Sequence, residues 1–379
     1  MSWLRRDRPP PAVAAALSAF SLRAVAQGNP GLAAQFLWGT NAAPVTPSPL
    51  FLHLGCGENV LDGFVNLDFI PHDARVHAFN LLDVWPEAWV GRAQGVFSED
   101  TLEHFFHGEQ AYILCNVNRM LQAGGIARML MPSYPRLAAY GDTFRPTHDD
   151  VMHAMFGAAT GADAVNMGMR FSGHRWLHSE ESLAALASMA GFAAQPTTCA
   201  HSAEPAFTGI NLRDEHDSLS FASDLRKVRD VVRVCVDPVA VVNATKVEEM
   251  GDGIALYRSD AVRPMVAYAL PAPVAAADFA CLNVRGANLS SFNEHNQKWL
   301  VLDDVRREDQ WHFDETLKSR ACMNLVTRHQ LPLLLREAAS FSRLVFSPAA
   351  RAGEYFTVGH AEVFVLGPAV AGQGAGPID

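Results

Sequence analysis

The sequence predicts an α/β domain followed by an antiparallel β-sandwich of jelly-roll type, and three observations carry that expectation. Short apolar runs alternate with amphipathic helical stretches between Pro49 and about residue 228, the pattern of a parallel sheet wrapped by helices. After residue 228 the texture changes to short β-like runs broken by Pro, Gly, Asn and Asp, which suits strands paired antiparallel in two layers. The first strand, in LHLGCGE at 52–58, runs straight into two glycines around one small residue. Such a turn lets a ligand lie against main chain.

The elements follow in order. Residues 1–48 hold an Ala-rich helix near 11–26 and then a loop, NAAPVTPSP, rich in turn formers. From Pro49 come the strands PLFLHL and FVNLDF, the extended piece VHAFNLL and the strand GVFSE. In GEQAYILCNVNRMLQ, Ala111, Leu114, Val117 and Leu121 share one helical face, and Gly124-Gly125 supplies a stop before the strand IARMLMP. SEESLAALASMAGF reads as a helix capped by Ser179, with Glu180 and Glu181 in its first turn and Gly191 at its end. The expected domains are therefore 49–228 (α/β) and 229–369 (β-sandwich), with a loose Gly-rich tail at 370–379.

Composition narrows the function classes. With 379 residues and 49% hydrophobic content there is core enough for two domains. A formal charge of -10, without clustered Lys and Arg, argues against a nucleic-acid partner. The six cysteines are scattered, with no C-x-x-C pair, and read as reduced and mostly buried. No apolar run reaches the length of a membrane span. The opening stretch has early arginines but is interrupted by Asp7 and three prolines, so the expected location is the cytoplasm.

The glycine turn also restricts the ligand. A dinucleotide fingerprint wants a third glycine at position 60, where Val60 stands, so a pyrophosphate loses support. Asp68, at the end of the second strand, can accept hydrogen bonds from both hydroxyls of a ribose. It also follows Gly55 more closely than the ~20 residues of a dinucleotide fold allow. A nucleoside without phosphates fits these constraints.

Taken together, LHLGCGENVLDGFVNLDFIP at 52–71, VFSEDTLEHF at 96–105, NRMLQAGGIARMLMPS at 118–133 and GHRWLHSEESLAALASMAGF at 173–192 resemble the class I S-adenosylmethionine-dependent methyltransferases. The likeness is specifically to the short-looped, type-11-like subgroup associated with polysaccharide biosynthesis. NLRDEHDSLSFASDLRK at 211–227 looks like that subgroup's closing segment. The resemblance implies a Rossmann-like domain, S-adenosylmethionine as cofactor, and cofactor contacts at Gly55, Cys56, Gly57, Glu58, Asp68, Asn80, Leu81, Ser98 and Glu99. Asn80 stands where the family commonly has an acid that reads the adenine amino group; its carbonyl oxygen can still accept.

The resemblance places the Glu103-His104 pair just past the fourth strand, so it is expected to be catalytic, with His104 as general base for an oxygen nucleophile; the competing reading is structural, His104 capping the following segment and Glu103 a buried anchor. Asp100, Glu103 and His104 form a D-x-x-E-H run similar to the metal-binding E-x-x-E-H of ubiquinone-pathway O-methyltransferases, but a metal is not favoured. His174, Arg175 and Trp176 are expected in a lid that meets the acceptor, the guanidinium and the indole suiting a sugar ring. His174 and His178 are four apart, a spacing that would share a helical face, but Gly173 and Trp176 suggest a loop, which favours acceptor contact over zinc; His53 reads as a satisfied core histidine. In the β-rich half, Trp299 and Trp311, with Asn296, Gln297 and His312, read either as a carbohydrate platform or, for the two tryptophans, as core. The expected function is O-methylation of a sugar hydroxyl of a surface polysaccharide or its precursor. The alternatives are a catalytically degenerate, glycan-binding scaffold and a methyltransferase for a small-molecule acceptor.

Overall fold

The computed structural model of the protein describes residues 41–370 apart from 211–218, 289–297, 303–324, 328–339 and a few isolated positions. The expected N-terminal helix, the 370–379 tail beyond its first residue, and Asn296, Gln297, Trp311 and His312 lie outside the described residues. So does the side chain of Trp299. Two compact units are present: one covers the described residues within Thr40–Val231 and those from Leu366 onward, the other those within Val232–Val365.

The first unit is built on a seven-stranded sheet: β1 (Leu50–Leu54), β2 (Val65–Asp68), β3 (Val76–Ala78), β4 (Ala93–Glu99), β5 (Leu121–Pro132), β6 (Phe192–Thr197) and β7 (Ser220–Lys227), in the order β3-β2-β1-β4-β5-β7-β6. The first five strands are parallel, and β7 runs antiparallel between β5 and β6. All five residues of β1 are buried, as expected of a parallel strand covered on both faces. The order reverses at β1, whose neighbours are β2 and β4. Loops leaving β1 and β4 therefore diverge, opening a crevice at the strands' carboxyl ends.

Among the described residues, this unit also holds the helices α1 (His107–Met120), α2 (Tyr134–Thr143), α3 (Val151–Phe156), α4 (Gly161–Arg170) and α5 (Glu180–Met189). The Ser179 cap of α5 is present, its side chain accepting from the Ser182 N–H. Two expectations need correction. The α1 helix stops at Met120 rather than running to Gly124, because Leu121 is extended and already pairs with Ala93 of β4. Lys227 Nζ closes that end, donating at 2.8 Å to the carbonyls of Asn118 and Leu121. The helices α2 to α4 were not anticipated, although Ser133 and Asp150 cap the first two. A Cβ on Gly161 would stand 1.8 Å from the Gly141 carbonyl oxygen, so α2 and α4 approach at a distance only glycine permits.

Two polar pairs lie inside this core. Arg128 of β5 and Asp224 of β7 face each other across the ladder and bond at 3.1 Å, both buried. His53 of β1 is also buried; Asn66 Oδ1 accepts from its Nδ1 at 3.1 Å. It is the satisfied core histidine its sequence setting suggested.

The second unit holds two antiparallel sheets. One has the order β10-β11-β17-β13-β15, with β8 beside β17, and the other β14-β16-β12-β9. These strands are β8 (Arg229–Val236), β9 (Pro238–Val242), β10 (Ala244–Gly251), β11 (Ile254–Ser259), β12 (Met265–Ala275), β13 (Phe279–Asn288), β14 (Lys298–Leu302), β15 (Leu325–Thr327), β16 (Ser340–Ser347) and β17 (Tyr355–Ala369). Val266, Tyr268 and Phe341 of the smaller sheet share one hydrophobic cluster with Phe279, Leu282 and Phe356 of the larger. Cys235 is exposed, unlike Cys56, Cys115 and Cys281, which are buried as expected of structural thiols.

Burial lowers the His53 pKa to about 4, against weaker upward pulls from Asn66 and Asp68. The unfolded chain thus binds the proton first, and stability is lost as pH falls from about 6.5 through about 4. Urea unfolding across that window should show the loss, and His53→Leu should flatten the slope by roughly one proton.

Candidate functional site

The crevice at the end of β1 is defined by the main chain of Gly55, Cys56 and Gly57, pinned from both sides. On the β2 side, the Cys56 N–H donates to Leu67 O and the Gly57 N–H donates to Asp68 Oδ2 at 2.8 Å. The other carboxylate oxygen of Asp68 accepts from the Ile70 N–H at 2.9 Å. A carboxylate offers about four acceptor positions, so Asp68 retains capacity for a ligand's hydroxyls. On the β4 side, the Thr101 hydroxyl lies 3.2 Å from Leu54 O, 3.4 Å from Gly55 O and 2.9 Å from Glu99 O. Asp100 makes that turn with φ 50, a left-handed value for a non-glycine residue.

Gly55 and Gly57 are both left-handed, at φ 61 and φ 51, but for different reasons. A Cβ on Gly55 would collide with the Thr101 side chain, 2.2 Å from its hydroxyl oxygen, whereas one on Gly57 would meet nothing within 4 Å. Gly55 is needed for packing, and Gly57 faces open space beside Asp68. Cys56 between them is buried, and burial ahead of the Asp68 charge pushes its thiol pKa up to about 11. It is a small spacer and no nucleophile. Glu58 is exposed at the rim, and Ser98 and Glu99 are buried at the end of β4.

The far wall differs from expectation at Asn80. Its side-chain oxygen accepts from the Leu82 N–H at 3.1 Å, turning the loop locally, so less of it remains for a ligand. Asn41 clasps the same loop: its Oδ1 accepts from the Asn80 N–H and its Nδ2 donates to Asn80 O, both at 3.0 Å. Asn41 lies in the stretch read as linker and went unrecognised; only its placement in the fold reveals it. Leu81 is buried, and its carbonyl accepts from Trp85 Nε1.

Beyond β4, a short turn (Leu102–His104) and the 173–176 loop form a second wall. The Glu103 carbonyl accepts from the Arg175 N–H at 2.8 Å and the Trp176 N–H at 3.2 Å, fastening one segment to the other. Glu103 is fully buried and stands 3.9 Å from His174 Nε2. Burial is the main cause raising its pKa to about 8, with Glu99's charge adding and nearby backbone N–H groups of Glu103 and Thr101 subtracting. Neither carboxyl oxygen has a hydrogen bond of normal geometry among the described residues. The rings of His104 and His174 lie edge to face, 5.1 Å apart. Burial lowers both pKa values, that of His174 to about 4 with His104 as a secondary cause, so both rings are neutral near pH 7.

His178 and Asp100 stand apart from this cluster. His178 is buried against Gln110 Oε1 at 2.6 Å and Ser182 Oγ at 2.8 Å, and shares no helical face with His174. Asp100 is exposed, so the D-x-x-E-H run does not assemble as three ligands. At the rim, Trp176 is exposed with its ring 5.0 Å from that of His107. The Arg175 guanidinium lies 4.8 Å over the Phe106 ring.

No protein-family model matches the sequence, and no curated protein is significantly similar to it. Among solved structures, the chain is similar to one in the complex between the Haloferax volcanii Trm112 methyltransferase activator and a methyltransferase (10% identity, 57% of this chain and 94% of that chain, TM-score 0.31). It is also similar to Haemonchus contortus phosphoethanolamine N-methyltransferase 2 with S-adenosyl-L-methionine (13% identity, 53% of this chain and 52% of that one, TM-score 0.30). A third is a xylan-binding module from Roseburia intestinalis (8% identity, 35% of this chain and 96% of that one, TM-score 0.25). The chain thus spans about half the length of the Haemonchus enzyme. At these scores the chemistry rests on the site itself.

Gly55→Ala should destabilise the protein by roughly 2 kcal/mol or more through strain and the Thr101 collision. Adding Thr101→Ala should recover part of that loss in denaturant unfolding, since only the collision is relieved.

Proposed function

We propose that the first unit is an S-adenosylmethionine-dependent methyltransferase that O-methylates a hydroxyl, with a sugar as the acceptor class. The observation that carries this reading is the Asp68 carboxylate, tied to the Gly57 N–H at the topological switch point with open space beside it. A ribose with free hydroxyls suits those acceptor positions. A phosphate there would meet the carboxylates of Asp68 and Glu58.

When bound, the cofactor supplies a methyl group on a sulfonium sulfur, which keeps the bonding electron pair as the methyl moves to the acceptor oxygen. The protein's own contribution is positioning and removal of the hydroxyl proton. Glu103, His104 and His174 are the groups placed to act on that proton, and the exposed Arg175 and Trp176 offer a guanidinium and an indole face to a sugar ring. In this reading 49–228 is the catalytic domain, and the two-sheet unit within 229–369 is a sandwich that binds glycan. A binding scaffold without turnover is a second reading, favoured by the engagement of Asn80 Oδ1.

Calorimetric titration of the full-length protein with S-adenosylmethionine and S-adenosylhomocysteine tests the cofactor assignment. Asp68→Ala should weaken both by at least about tenfold, near 1.4 kcal/mol; unchanged affinity would remove Asp68 from the site. With nucleotide-sugar and oligosaccharide acceptors, His104→Ala should lower turnover at least about tenfold while leaving cofactor affinity nearly intact.

A further inference from the structure

The Glu103, His104 and His174 cluster is built in a way that proton transfer alone does not explain. Their ligating atoms lie within 4.8 Å of one another. Glu103 is fully buried, and neither of its carboxyl oxygens has a hydrogen bond of normal geometry among the described residues, the backbone N–H groups of Glu103 and Thr101 being its nearest donors; His174 Nδ1 likewise lacks one. A buried carboxyl left in this state costs several kcal/mol and calls for an explanation such as an ion. His174 is brought in from a loop some 70 positions away by the backbone bonds of Arg175 and Trp176 to Glu103 O.

We infer that Glu103, His104 and His174 form a binding site for a divalent transition-metal ion. Two imidazole nitrogens and one carboxylate suit Zn²⁺, Fe²⁺ or Mn²⁺ better than Mg²⁺, which prefers an oxygen shell. Three protein donors leave the remaining positions to water or to an acceptor oxygen. Resting on the methyltransferase reading, the ion would take over the task assigned above to the cluster. Coordination makes the acceptor hydroxyl a stronger acid, and its proton passes to solvent water while the His104 nitrogen is spent on the metal. The acceptor then belongs to the hydroxyl compounds that can enter a metal's coordination shell.

The second group of ligand-type side chains, Cys235, His360 and Glu362, is different. Glu362 is already held by Arg233, Arg285 and Asn283 at 2.9, 3.2 and 2.8 Å, and two guanidiniums repel a cation.

The experiment uses untagged full-length protein, stripped with a chelator and titrated with Zn²⁺ and Mn²⁺ by calorimetry and with Co²⁺ by visible absorption. The expected result is one ion per chain, ligand-field bands of nitrogen and oxygen coordination, and a rise in Tm with metal concentration. Glu103→Gln and His174→Ala should each weaken binding at least about tenfold, while circular dichroism reports whether each variant is folded. His104→Gln provides a further variant should either fail to fold. Absence of stoichiometric binding by the folded protein, or binding that folded variants leave unchanged, overturns the inference. Metal binding without cofactor binding sustains the ion site and overturns only the methyltransferase reading.

Discussion

Everything at the crevice depends on how the main chain at Gly55–Gly57 is held open. A loop at a switch point has neighbours on both sides, and each must grip it without filling the space in front. Asp68 does this from β2 with a carboxylate that accepts the Gly57 N–H, and Thr101 does it from β4 with a hydroxyl among three carbonyls. The Thr101 grip would not survive a side chain at position 55, which is where the close contact falls. The same pinning sets the starting point of the Leu102–His104 turn, since the His104 N–H donates to Thr101 O. Cradle and cluster are therefore coupled through one threonine.

Much of this was legible in the sequence because it depends on local pattern. Apolar runs marked β1 and β4, VNLD placed Asp68 at a strand end, and Ser179 with its following acids marked α5. His53 and Cys56 were read by the same logic, as a core histidine and a small residue. The α1 boundary was misread because helical periodicity extends through Leu121, while the pairing of Leu121 with Ala93 is a tertiary contact. The helices α2 to α4 are absent from the sequence reading, although α2 and α4 carry an apolar face and Ser133 and Asp150 cap α2 and α3.

The less legible part of the site comes from long-range placement. Asn41 meets Asn80 across 39 positions, with nothing in a Pro/Ser/Thr loop to announce a clasp. Gly173 and Trp176 suggest a lid loop for His174, whereas the structure holds its side chain about nine-tenths buried, beside Glu103. Asp100 was grouped with Glu103 and His104 by a motif-like run, yet its left-handed backbone belongs to an exposed turn. Short-range spacing ranks which residues could meet, but the fold decides which do.

The position of β7 has a consequence for synthesis. It is the last strand of the sheet to be made, yet it lies between β5 and β6 and supplies Asp224 to the buried Arg128. On a ribosome, β5 would emerge with one open edge and its arginine unneutralised until residues 220–227 follow. A nascent or truncated chain ending before that strand would carry a sticky edge and a stranded charge together. The first unit therefore completes its fold only after its last strand has been threaded into the interior.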